Sequence, residues 1–166
     1  MNLADLALLV ARLWMGWVMI LHGVNHARNF ESTTDWFATI GFKRASLQAR
    51  LSAIGEIAIG FGLAAGFVTS FAAAGLVVVM SVAFWTVHRF AGFFVFKRPD
   101  EGYEYVATLA IFAAVLSIFG PGQFSIDAAT GLAGDLDGTV GLLVCLGGLL
   151  AGALQVAATW RPPVKT

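Results

Sequence analysis

Five stretches of about twenty residues (3–24, 48–67, 70–87, 103–119 and 139–160) are nearly free of charge and dominate the chain. A helix of roughly 20 apolar residues crosses the hydrocarbon core of a bilayer. Between the runs lie short polar connections, and Gly120-Pro121-Gly122 ends the fourth, because no helix continues through that tripeptide. Only 12% of the 166 residues are charged and 58% are hydrophobic. A soluble domain carries about 25% charge, so this chain lacks the residues to cover a water-facing surface. The expectation is an all-α, polytopic transmembrane helix bundle of five spans. The formal net charge of zero leaves no basic excess for nucleic acid.

Loop charges set an orientation. Arg28, Lys43 and Arg44 fall between the first two runs, with Arg50 just inside the second. Arg89, Lys97 and Arg98 follow the third run, and Arg161 and Lys165 lie in the C-terminal tail. The N-terminus, the turn at 66–69 and the loop at 120–138 contain no Lys or Arg, and that loop carries Asp127, Asp135 and Asp137. With five spans every basic segment shares one face, which the positive-inside rule makes cytoplasmic. The N-terminus is then outside and the C-terminus inside. Four spans would divide the basic segments between both faces. The first run has no positive residue before it and no cleavage site after it, and reads as a retained helix rather than a signal peptide. The segment 32–40, with an N-cap at Ser32 or Thr33 and with Trp36, Phe37 and Ile40, reads as a short interfacial helix.

Ionisable groups within the spans are the candidates for function, since lipid solvates them poorly. Arg12 and Glu56 sit near the middle of the first and second runs. Counting rise per residue from opposite ends of antiparallel helices puts them at similar depth. They are expected to pair, either as a structural lock or as a functional pair acting on a ligand. His22, His26 and His88 fall near the cytoplasmic interface with Glu104, Tyr103 and Tyr105. No metal site is assigned; His22, His26 and His88 offer only a weak metal-binding alternative. Cys145 is the single cysteine and reads as a small apolar residue. With no CxxC, CxxCH or GxGxxG, the chain carries no redox centre of its own and implies no intrinsic cofactor. Gly148 and Gly152 have the spacing that lets helices approach closely in lipid. The expected ligand site is a polar cleft among the first, second and fourth spans, built from Arg12, His22, Glu56 and Glu104.

Several of these residues stand in an order that resembles the DoxX family of small bacterial membrane proteins. They are Arg12-Leu13 with Gly16, His22-Gly23, Phe37 with Gly41-Phe42, and Glu56 with Gly60. Gly102 with Glu104 follows, then Gly120-Pro121-Gly122 with Ser125-Ile126-Asp127. His26 stands near where family members commonly carry a lysine. The resemblance implies a four-helix core over 1–127, leaving an outer loop at 128–138, an additional transmembrane helix at 139–160 and a cytoplasmic tail at 161–166. It implies residence in a bacterial cytoplasmic membrane as a subunit of a larger redox complex, linked to quinone, since DoxX-like proteins are associated with thiosulfate:quinone oxidoreductase subunits. The partners expected are the lipid bilayer and other membrane subunits, and the chain is not expected to be catalytic in isolation. The alternative is a non-catalytic scaffold or accessory subunit.

Overall fold

The computed structural model describes residues 2–96 and 101–163; the basic residues Lys97, Arg98 and Lys165 lie outside the described residues. Five long helices make the bundle: α1 (Leu3–Arg28), α3 (Ala45–Ala65), α4 (Thr69–Thr86), α5 (Glu104–Phe119) and α8 (Gly138–Thr159). Between them lie α2 (Phe30–Thr39) and the short α6 (Ile126–Thr130) and α7 (Ala133–Leu136), with a 3-10 turn at His88–Phe90. Among the described residues there is no strand. Three helices, α1, α4 and α8, are long and apolar enough to cross a membrane, and α5 is a shorter apolar helix. The architecture is an all-helical membrane bundle.

The long helices begin and end within four residues of the positions expected from the apolar runs. α1 runs a turn further than its apolar stretch, so His22 and His26 share one continuous helix. The short helix starts at Phe30 behind Asn29, ahead of the caps expected at Ser32 or Thr33, because α1 and α2 are separated by one residue only. α2 does more than lie at an interface. Its Phe37 packs with Phe42, Ala49 and Trp160 in a cluster that closes one end of the bundle.

α4 is the central helix, packed against α3, α5 and α8, while α1 is peripheral and packs on α3. Glycines permit the closest contacts. A Cβ on Gly16 would lie 2.6 Å from the Gly60 carbonyl oxygen, and one on Gly148 would lie 2.6 Å from that of Ala74. Where lipid surrounds a bundle, such close packing replaces the hydrophobic effect as the force that joins helices. The exposed Leu, Phe and Trp side chains of α1, α5 and α8 face the space lipid would fill.

Candidate functional site: a cavity between two polar walls

The two ends of the bundle use their polar groups differently. At the end holding the α3–α4 turn, the fully buried Arg12 donates only to backbone carbonyls. Its Nε reaches Pro121 at 2.9 Å, Nη1 reaches Leu63 and Ala64 at 3.0 Å each, and Nη2 reaches Phe124 at 2.5 Å. Leu63 and Ala64 belong to the last turn of α3, whose carbonyls have no intrahelical partner. Arg12 therefore caps the negative end of α3 and ties the 121–124 loop to it. Asp127 mirrors this at the start of α4. It accepts from Val68 N at 2.7 Å, Thr69 N at 2.8 Å and Thr69 Oγ1 at 2.7 Å. These bonds hold Val68 at φ +42, a conformation non-glycine residues rarely adopt.

The expected Arg12–Glu56 pair does not form. Gly16 packs at Gly60 and Gly23 at Ala53 and Ile57, which sets Glu56 opposite Ile20 to Gly23 and about 12 Å deeper than Arg12. Counting inward from flush helix ends misplaced them, because α1 overhangs the end of α3. The overhang is covered by the 120–125 loop, where Asp5 Oδ1 accepts from Gln123 N at 3.1 Å.

Toward the other end lies a cavity of about 590 Å³, within the usual range for small-molecule sites. Val18, Met19, Ile59, Val79, Met80 and Leu109 give it largely apolar walls. On the α1–α3 side stand His26, Ser52 and Glu56. Ser52 Oγ donates to Glu56 Oε1, while Glu56 Oε2 lies 3.7 Å from His26 Nε2 and has no hydrogen-bond partner. Glu56 is only 3% exposed. On the α4–α5 side, His88 Nδ1 and the Glu101 carbonyl are 2.7 Å apart, and Tyr105 Oη and His88 Nε2 are 2.8 Å apart. Gln155 of α8 donates to Gln48 of α3 at 3.2 Å, and α2 covers one flank with Trp36 and Phe37. His22 and Trp36, both exposed, stand at the rim. His26 and Trp36 also line a small polar depression with Asn25, Asn29, Ser32 and Thr33.

Of the four expected site residues, His22 and Glu56 line this cavity, and Arg12 and Glu104 do not. Glu104 instead accepts from Val95 N at 3.3 Å at the start of α5. Nor is the site a cleft among the first, second and fourth spans, since α5 only grazes α1 and α4 supplies a whole wall. No group of three His, Cys, Asp or Glu side chains placed to hold a metal ion occurs among the described residues, so the three-histidine alternative fails. Both His88 ring nitrogens are engaged elsewhere. The sequence reading missed His26, Tyr105, Gln48 and Gln155 as lining groups. His26 carried a usable signal, being one helical turn from His22 on the same face.

The family model named DoxX matches residues 7–89, which hold all but the first turn of α1, then α2 to α4, and most of the cavity lining. No curated protein and no solved structure matches the chain.

Proposed function

Since the chain belongs to the DoxX family, we propose that it is the membrane-embedded subunit of a redox assembly and binds a quinone-type molecule in the cavity beside Glu56. The observation that carries this reading is a largely apolar cavity holding one buried carboxylate oxygen with no protein partner. An unsatisfied buried acceptor is costly, and functional sites are where such costs persist. The apolar walls suit an isoprenoid-like body, and the rim at His22 and Trp36 gives a tail its exit toward lipid. The redox association comes from the resemblance to subunits that work with quinone. All five long helices span the membrane in this reading, with the basic end cytoplasmic.

Gly55 supplies the test. It lines the cavity, and a Cβ added there meets nothing within 4 Å. Gly147 of α8 is equally open but lies outside the cavity. A short-chain quinone should bind the purified protein by titration calorimetry, lose affinity more than about tenfold in Gly55→Leu, and bind Gly147→Leu unchanged. Equal binding by both variants would remove the cavity from the proposal.

A further inference from the structure

Resting on that reading, we infer that the cavity is built for the reduced, hydroxyl-bearing form of its ligand: it selects a head group that donates hydrogen bonds at two edges. The inference comes from what the two polar walls offer. The Glu101 carbonyl can only accept, so His88 Nδ1 carries the ring proton. His88 Nε2 is then an acceptor, and the Tyr105 hydroxyl must donate to it. With its proton committed, the Tyr105 oxygen has only lone pairs left for a ligand. Facing it, Glu56 has Oε1 engaged with Ser52 and Oε2 free, and Oε2 only accepts when the group is ionised or holds its proton on the Ser52 side. His26 Nε2, at 3.7 Å, is too far to satisfy that oxygen. No lysine or arginine lines the cavity.

Glu56 and Tyr105 line the same cavity from its α1–α3 and α4–α5 sides, so one planar head held between those walls can address both. A hydroquinone carries hydroxyls on opposite edges and meets both acceptors with donors. The oxidised quinone has carbonyls there, and lone pair would face lone pair. In a desolvated site a polar group left without a partner costs more than a good hydrogen bond gains. Discrimination by hydrogen-bonding pattern is therefore stronger than discrimination by apolar shape.

The experiment compares three matched probes under anaerobic conditions: a decyl-substituted hydroquinone, its quinone and its dimethyl ether. Calorimetric titration of the full chain in mild detergent should give the hydroquinone a Kd about tenfold below that of either other probe, about 1.4 kcal/mol. Glu56→Gln and Tyr105→Phe should each shrink that ratio, with folding checked by the thermal transition. A purely structural role for either residue would lower all three affinities alike. Should a variant fail to fold, the ratio in the unaltered protein still decides. Equal affinity for the three probes, or tighter binding of the quinone, overturns the donor preference and leaves the cavity reading standing. Decylammonium binding as tightly as the hydroquinone also overturns it, assigning the donor to a cation. Binding of no probe removes both readings.

Discussion

At the scale of single residues, the chain separates two uses of buried charge. Every guanidinium nitrogen of Arg12 donates to a carbonyl oxygen, whereas Glu56 keeps an oxygen open. Removing Arg12 leaves the Ala64, Pro121 and Phe124 carbonyls unpartnered, while Leu63 keeps the Gly66 N–H, and each lost partner costs roughly 1–3 kcal/mol when buried. Arg12→Ala is expected to destabilise by at least about 3 kcal/mol, read as a loss of folded yield and a lower detergent melting temperature. Arg12→Lys should rescue only part, because one ammonium cannot span carbonyls on two elements. Asp127→Asn should cost about 1–2 kcal/mol, since it removes an acceptor that caps α4. Combined with Arg12→Ala it should be non-additive, for both residues act on the turn around Gly66. Arg12→Ala with Glu56→Gln should instead be additive, and coupling above about 0.5 kcal/mol in that cycle would restore the pair read from the sequence. That Arg12 and Glu56 matter was legible, because ionisable groups in apolar runs are conspicuous. Their partners were not, because backbone carbonyls carry no sequence signature. Asp127 was visible as one of three acids in an outer loop and as part of the Ser125-Ile126-Asp127 motif, with nothing to mark it as the cap of α4.

At the scale of elements, apolar length fixed the five long helices well, and the breaks fell where glycine and proline put them. What length could not give was register. It depends on which small residues meet, and the pattern Gly16, Gly23 and Gly60 became informative only once the α1–α3 contact was known. The same physics yields a contrast inside one helix. Gly60→Leu drives a side chain into Gly16 and Ile20, with backbone atoms that cannot yield, and should lower the melting temperature sharply. Gly55→Leu meets open space and gains helix propensity of roughly 0.5–1 kcal/mol, so it should leave stability equal or higher while blocking the cavity. A thermal denaturation series on the two variants separates packing glycine from cavity glycine. α8 was expected as an appendage to a four-helix core, yet Gln155 and Trp160 tie it to the cavity end. Trp160 Nε1 donates to Ile40 at 2.7 Å, and Lys43 N donates to Thr159 O at 2.8 Å.

At the scale of the whole molecule, the fold gathers the described basic residues of its loops and tail at one end. The C-terminal ends of α1, α4 and α8 and the start of α3 lie together. Lys43 meets Thr159 there, and the Arg89 guanidinium lies 5.9 Å from the Trp160 ring centre. The opposite end gathers Asp5, through its bond to Gln123, and Asp127, which caps the α3–α4 turn. Basic residues resist translocation, so the end with Arg28, Lys43, Arg44, Arg89 and Arg161 is the one expected to stay cytoplasmic. The cavity lies nearer this basic end, which would present a bound head group toward the cytoplasmic side. An alkaline-phosphatase-type reporter fused after Gly131 should be active outside, and one fused at Thr166 should be silent while a cytoplasmic reporter there is active. Both fusions reading on one side would mean that α8 does not cross. The Lys43–Thr159 and Trp160–Ile40 bonds would then have to form with α8 turned back along the membrane, which a rigid 22-residue helix packed along α4 does not permit. Reversing the bias should test the cause rather than the correlation. Neutralising Lys43, Arg44 and Arg89 while adding two lysines to the 131–135 loop is expected to give mixed or inverted reporter activity, whereas the neutral loop substitutions Asp135→Asn and Asp137→Asn alone should leave the orientation unchanged, because acidic residues contribute little to it.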